Sequence, residues 1–283
     1  MPQINTLQKQ LDAVYNKRWR HQASYKTQKG NCKRACEFFG PHKRIDTITS
    51  QDLDDYQQAL LSDGLRPATV NKATKLLQFC LKDAKRLNKI SDIPVPPQQL
   101  RENNVKDRVI TPAEEEAFCL YFDKIGHHEA SALFVFMINT LARWSDIRRL
   151  HVCDLHLDRK PRAEVTFRNR KNTSTDTIIL ANQARQAVAP VVAGKAARDL
   201  VFDYSYSEFR YLFLEAKEWM GLADDKALTI HCTRHTGASR LAAKNCSLPL
   251  IMAMGGWKSL SSVKRYLTFQ TSHLQQVAAM LES

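Results

Sequence analysis

At 283 residues, with 43% hydrophobic and 25% charged residues, the chain has the composition of a folded protein long enough for two cored domains, which excludes disorder of the whole. Its 42 Lys and Arg against 29 Asp and Glu give a formal charge of +13, a balance that favours a polyanionic partner because each neutralised phosphate releases condensed counterions. The longest strongly apolar stretch, ALFVFMI at 132–138, is far short of the ~20 residues that span a bilayer, so no membrane segment is expected.

The charge excess is spread: residues 1–104 carry 18 basic and 10 acidic side chains, and the remainder 24 and 19, so either part could face nucleic acid. Seven cysteines are an odd, scattered set behind an N-terminus, MPQINTLQKQ, without an apolar leader. Reduced thiols in a cytoplasmic setting are the expectation. Cys32 and Cys36 stand one helical turn apart, but no second Cys/His pair lies near them, and they are read as half-buried helix residues rather than metal ligands.

The first hundred residues are expected to be helical. Leu7, Leu11, Val14 and Tyr15 recur at helical spacing, as do Tyr25, Cys32, Ala35 and Phe39 before Gly40-Pro41. Ser50 can cap a helix with an apolar face of Leu53, Tyr56 and Leu60, stopped at Gly64. Pro67 suits the first turn of a long helix carrying Val70, Leu77, Leu81 and Ala84. Lys72, Lys75, Lys82, Lys85, Arg86 and Lys89 lie on or near that last helix, and the first five are the candidate DNA contacts. Residues 93–108, IPVPPQQLRENNVKDR, have three prolines and no periodicity, which reads as an interdomain linker. A fresh helix starts at Thr111-Pro112-Ala113-Glu114, with an N-cap, a first-turn proline and a capping-box glutamate. The second part reads as mostly helical, with RAEVTFR (162–168) and TDTIIL (175–180) alternating as two antiparallel strands joined through 169–174.

Several residues of this second part suit one chemistry. A phosphodiester resists attack because both it and the incoming nucleophile tend to be negative, so its nonbridging oxygens must be neutralised. Arg143 and Arg234 offer planar forks that stay charged and bind two oxygens at once. His231 lies three residues before Arg234, on the same helix face, where both can reach one phosphate. The indole N–H of Trp257 can donate to a phosphate oxygen. Tyr266 is the only tyrosine in the last 72 residues, and its phenol, with an ordinary pKa near ~10, needs a cationic surround to become a nucleophile at neutral pH. Taken singly, each is ordinary: a surface arginine, a chance His-x-x-Arg, a core tryptophan, a packing tyrosine.

In this order and local wording the residues resemble the tyrosine recombinase (phage integrase) family. Thr140-Leu141-Ala142-Arg143-Trp144-Ser145-Asp146-Ile147 is similar to the family's first arginine box, a Thr-Gly-x-Arg turn leading into a short helix, with Leu141 in place of the usual glycine. The resemblance implies that Arg143 is the first phosphate clamp and that Asp146 orients its guanidinium. His231-Cys232-Thr233-Arg234-His235 looks like the second box, with Arg234 as second clamp, His231 as proton-transfer or orienting group, and His235 as a packing residue. Gly255-Gly256-Trp257-Lys258-Ser259, with Tyr266 nine residues after Trp257, corresponds to the third box, where relatives commonly have Gly-His. By position between the boxes, Lys171 matches the family's catalytic lysine, the general acid for the departing 5′ oxygen; Arg170 and Lys160 compete for that role.

The resemblance covers nearly the whole chain. It implies a mainly α fold with a small antiparallel β-sheet: an all-helical, SAM-like core-site-binding domain at 1–100, a linker at 101–110, and a catalytic domain at 111–283. It also implies a site-specific recombinase of double-stranded DNA, working through a 3′-phosphotyrosyl intermediate and a Holliday junction without metal or other cofactor. A homotetramer on two sites, DNA-bending accessory proteins as candidate helpers, and a bacterial cytoplasm beside the nucleoid complete that expectation. Integration or excision of a phage or mobile element is the first reading. Dimer resolution, a type IB topoisomerase, and a catalytically silent DNA-binding protein are the alternatives. After Tyr266, Leu274, Val277, Ala278 and Leu281 form an apolar stripe that packs either on its own domain or on a neighbouring protomer.

Overall fold

In the computed structural model, which describes residues 5–22, 24–102, 108–168 and 174–263, the chain divides between Val105 and Lys106 into two units. In the first, α1 (Leu7–Val14) starts at Thr6, whose hydroxyl accepts the Lys9 amide, and runs into a π-helical turn at Tyr15–Trp19. Next come α2 (Tyr25–Phe39), α3 (Ser50–Ser62) and α4 (Pro67–Arg86). Leu7, Leu11, Val14, Leu53, Tyr56, Leu60, Val70, Leu77, Leu81 and Ala84 are buried together, so the helical spacing does select the core face.

Three local expectations are corrected. The cap of α3 is Thr49, not Ser50, because the acid that closes a capping box stands three residues after Thr49: its hydroxyl accepts the Asp52 amide at 3.1 Å and its own amide donates to Asp52 at 2.8 Å. Tyr25 opens α2 on the exposed side, and Asn31 is buried with Ala35 instead. The front of the proline-rich stretch is held rather than free. Gln57 donates to the Gln98 carbonyl at 3.0 Å, and the Asn71 amide group both donates to the Leu100 carbonyl (2.9 Å) and accepts its N–H (3.0 Å), while Ile93 and Leu100 pack on the helical core.

The second unit begins with α5 (Pro112–Lys124), capped by the Thr111–Glu114 box that the motif announces. α6 (His128–Thr140) contains the ALFVFMI stretch; it is buried nearly all round because it contacts α5, α8 and α10. After the short α7 (Trp144–Ile147), three strands, β1 (Leu155–His156), β2 (Glu164–Phe167) and β3 (Asp176–Ile179), form an antiparallel sheet in chain order, with Glu164 opposite Ile179 and Phe167 opposite Asp176. β1 has two residues, too few to show alternation in a sequence. The helices α8 (Asn182–Val192), α9 (Tyr206–Trp219), α10 (Cys232–Ala243) and α11 (Leu248–Gly255) complete the unit. Phenylalanines dominate its core, with Phe118 stacked on Phe213 at 4.7 Å between ring centres. The fold is thus mainly helical with one small antiparallel sheet, as expected. Among the described residues no helix is long and apolar enough to cross a membrane.

Arg108 fastens the start of this unit. Its guanidinium bridges Glu114 and, at 2.8 Å, Asp225, and both carboxyls are held below their ordinary range, chiefly by that hydrogen bond. A carboxylate whose pKa is depressed on folding stabilises above its unfolded pKa and loses that contribution as pH falls through the folded one. Arg108→Met is therefore expected to destabilise at neutral pH by ~1–3 kcal/mol, the range for a charged hydrogen bond. The gap to wild type should begin to shrink as pH drops below about 4, where carboxyls of the unfolded chain protonate, and go on shrinking as the lowered folded-state carboxyls take up their protons. Denaturant titrations of both proteins across pH 3 to 7 check this; a constant gap would contradict the ionic origin.

Candidate active site

The first-box turn is built at the C-terminal end of α6. Thr140 returns its hydroxyl to the Phe136 carbonyl at 2.7 Å, and Leu141 then adopts a left-handed conformation with φ 55°. That conformation costs an L-residue with a Cβ roughly 1–2 kcal/mol, which explains why glycine is usual there. Here the Leu141 side chain is 1% exposed and clusters with Ala238, Ile251 and Val263. Burying a leucine is worth about 1.5–3 kcal/mol, enough to offset the strain. The turn is therefore made without glycine.

Arg143 follows as the N-cap of α7, partly buried. The carboxylate of buried Asp146 accepts the Arg143 main-chain N–H at 3.1 Å, so a contact by which Asp146 fixes Arg143 runs through the backbone. On the next residue, the Trp144 indole stacks on Phe209 of α9 at 5.4 Å and 17°, anchoring the short helix to the core.

α10 brings the second box to this turn. Arg234 is 1% exposed, and its Nη1 donates to the carbonyl of Leu141, two residues before Arg143. The approach depends on Gly237: a Cβ there would lie 2.2 Å from the Ile138 carbonyl oxygen and 2.9 Å from the Leu141 side chain. His231 starts α10 on its exposed side, with its ring edge-on to His235 at 4.8 Å. Thr236 accepts the Ile110 amide at 2.8 Å and donates to the Cys232 carbonyl at 2.7 Å, which ties the entry of the unit to the helix bearing His231 and Arg234.

The third box closes over the same arginine. The Trp257 ring lies under the Arg234 guanidinium, 3.7 Å from its carbon to the ring centre. This is a cation–π contact in a desolvated place, where such contacts are strongest. It also makes sense of Gly255, since a Cβ there would sit 2.0 Å from the indole. Gly255→Ala should displace the indole from Arg234 and destabilise the unit by ~1–3 kcal/mol, as overpacking does. Thermal melts and cleavage assays on the same preparation check it, and a variant with unchanged melting and cleavage would show that the stack is dispensable.

Tyr266, Lys171 and Arg170 lie outside the described residues, as does the tail stripe from Leu274 to Leu281. Lys160 is exposed in the β1–β2 connection, at the end of β2 opposite to the one that leads into 169–173. Arg168, which closes β2, is instead engaged with the buried carboxylate of Asp154 at 2.5 Å. The structure thus brings Arg234 and Trp257 against the turn that presents Arg143, with His231 at the N-cap of α10, one turn before Arg234.

The model of the Phage integrase family matches residues 108–273, more than half of the chain and the whole interval from the first box to Tyr266. The chain belongs to the phage integrase family. No curated protein matches it. Among solved structures, this family member is similar to the Tn1549 transposon integrase in complex with circular intermediate DNA, at 16% identity and TM-score 0.76 over 97% of this chain and 99% of that one. It is also similar to the XerH site-specific recombinase bound to palindromic difH substrate (17%, 0.71, 98% and 85%) and to a lambda integrase dimer bound to a COC′ core site (15%, 0.72, 93% and 77%). At these identities the likeness concerns the fold.

Of the candidate DNA contacts in the first unit, Lys72, Lys75 and Lys82 are exposed on α4, whereas Lys85 pairs with Asp92 at 2.9 Å and Arg86 with Asp83 at 2.7 Å. Sequence reading missed Lys17 and Arg18, which share a cleft of about 510 Å³ with Lys82, Arg86 and Phe79; Arg18 lies over the Phe79 ring at 4.3 Å. The missed signal was the basic pair inside the Tyr15–Trp19 segment. Cys36 donates to the Gln8 side chain at 3.1 Å, and burial pushes the Cys32 thiol up to about 12, as suits helix residues that stay thiols.

Proposed function

We propose that this chain is a site-specific DNA recombinase that cuts and rejoins double-stranded DNA through Tyr266. The observation that carries the reading is the junction of the first two boxes: the guanidinium of Arg234 is fixed to the turn that presents Arg143 and is backed by Trp257. Two permanently charged forks on adjoining segments, one of them poorly solvated, suit a pentacoordinate phosphate, because its extra negative charge is stabilised more strongly in such a place than in water. The relatives named above were solved on DNA, and the basic face of α4 suits the same partner.

In the mechanism, the Tyr266 oxygen attacks the scissile phosphorus in line while Arg143 and Arg234 hold the nonbridging oxygens. The bond from phosphorus to the 5′ oxygen breaks, the oxygen takes a proton from Lys171, and the phenolic proton leaves through His231 or water. The 3′-phosphotyrosyl bond keeps the energy of the diester, so attack by a 5′ hydroxyl of a partner strand rejoins DNA and returns Tyr266. Two rounds, one per strand pair, pass through a Holliday junction. Integration or excision of a mobile element is the proposed role, carried out by a homotetramer on two sites.

The test is a duplex with a nick just beyond the cleavage point, whose short 5′ fragment diffuses away and traps the adduct. A protein–DNA band that survives detergent and disappears on proteolysis is the expected result, and its absence on every candidate site would overturn the reading. The acid can be identified on the same substrate. Lys171→Ala should be slow on ordinary DNA but largely restored where the bridging 5′ oxygen is sulfur, because a thiolate departs without a proton. Equal impairment on both substrates would move the role to Arg170 or to simple positioning.

A further inference from the structure

The stretch without periodicity between the two units is pinned on both sides. Asn71 of α4 is 2% exposed, and its side-chain amide is fully engaged: Nδ2 donates to the Leu100 carbonyl at 2.9 Å and to the Glu102 carboxylate at 2.8 Å, while Oδ1 accepts the Leu100 N–H at 3.0 Å. One side chain thus takes both main-chain groups of Leu100, as a neighbouring strand would. Gln57 of α3, also buried, adds its bond to the Gln98 carbonyl at 3.0 Å, and Leu100 packs on the helical core. Both amide groups are turned to residues 98–102 rather than to another helix. Beyond them the chain is caught again at Arg108, which bridges Glu114 and Asp225. Among the described residues, the last bond to the first unit is therefore at Glu102 and the first bond to the second is at Arg108, with residues 103–107 between.

We infer that Asn71, with Gln57, is a positioning residue for the reaction: by clipping residues 98–102 to the first unit it shortens the tether through which the second unit reaches DNA. The inference rests on the reading of the chain as a recombinase that holds one duplex with both units. When two binding modules share a tether, the second binds at an effective concentration that falls roughly as the −3/2 power of tether length once the span is met. Releasing the clip lengthens the free stretch from residues 103–107 to residues 93–107, about threefold, which lowers the effective concentration about fivefold. Lys72 and Lys75 are exposed on α4 while Asn71 is buried, so Asn71 acts on the tether and not on the phosphates.

Duplex binding and cleavage by the full chain test the clip. Gln57→Ala/Asn71→Asp removes the donors and sets a second carboxylate beside Glu102 with little change of shape; Gln57→Ala/Asn71→Ala opens the clip without added charge. Inserting about ten Gly and Ser residues after Asn104 of the wild type lengthens the tether to the same extent and leaves the clip and the helices of the first unit untouched. Each of the three proteins should bind a duplex site about fivefold more weakly than wild type. Cleavage at saturating protein should stay as in wild type, because the tether governs approach and not chemistry. Combined with either double variant, the insertion should weaken binding only about twofold further, since the tether is then already long. Hydrogen exchange at the Leu100 amide should be slow in wild type and in the insertion protein, and fast in the double variants. Fast exchange in the wild type, full binding by double variants that exchange fast, an insertion without effect, a loss of cleavage that persists at saturating protein, or losses that multiply to about 25-fold as independent effects do would each overturn the inference. Should a double variant not fold, the insertion and the wild-type exchange decide. A wild type with a protected Leu100 amide that binds duplex but yields no adduct would count against the recombinase reading and leave the clip standing.

Discussion

Tyr266→Phe is expected to retain DNA binding and to form no covalent adduct. The substitution removes one oxygen atom and almost no packing surface, so a change in affinity has no physical source. The nucleophile, by contrast, is gone entirely. A phenol is a poor nucleophile near neutral pH and works only where cations favour its deprotonated form. Tyr266 is the last tyrosine of the chain, nine residues beyond Trp257, which underlies Arg234. Mobility-shift titration of wild type and variant on the same duplex, followed by trapping on the nicked duplex, separates the two effects. Unchanged binding with no detergent-stable band is the expected pair of results. A variant that still yields adduct would move the nucleophile to another side chain.

The arginines should show the next largest losses, with different secondary effects. Arg143→Ala and Arg234→Ala should each reduce cleavage by roughly two orders of magnitude or more, the cost of removing one pre-aimed donor to the transition state. Lysine should rescue poorly at either position, since an ammonium cannot form a two-toothed contact with phosphate. Arg143 is partly exposed at the start of a four-residue helix, and its truncation should cost less stability than that of the fully buried Arg234. Arg234 is among the largest fully buried side chains, donates to the Leu141 carbonyl and covers Trp257. Its truncation leaves a buried acceptor without that donor and a gap above an indole, so Arg234→Ala should also destabilise the unit by ~2–5 kcal/mol. Single-turnover cleavage and denaturant unfolding of the four variants test the assignment. Near-normal rates for both lysine variants would remove the clamp argument, and equal stability of the two alanine variants would contradict the packing of Arg234.

Much of the molecule is legible before folding because its signals are local. Hydrophobic spacing locates α1, α3 and α4, and the Thr111–Glu114 box marks the start of α5, since periodicity and capping involve neighbours within one or two turns. The sites of Arg143 and of His231 with Arg234 are legible for a related reason: short motifs carry their spacing with them. The one-residue displacement of the α3 cap to Thr49 belongs to the same local level, because Asp52 three residues on announces it.

What only the tertiary structure decided are contacts between segments far apart in the chain. That Leu141 can replace a glycine depends on Ala238, Ile251 and Val263 gathering around its side chain, and these lie about a hundred residues downstream. That Gly237 and Gly255 must lack a side chain follows from the Ile138 carbonyl and the Trp257 ring that come to rest against them. Likewise, the proline-rich stretch has no periodicity of its own, and the residues that follow its prolines, 98–100, are held by Gln57 and Asn71 from two earlier helices. Local sequence specifies which groups the chain presents and in what order; the close packing of α6, α10 and the turn after α11 determines that Arg234 and an indole meet at the turn that carries Arg143, because short-range repulsion and burial act only on atoms that folding brings together.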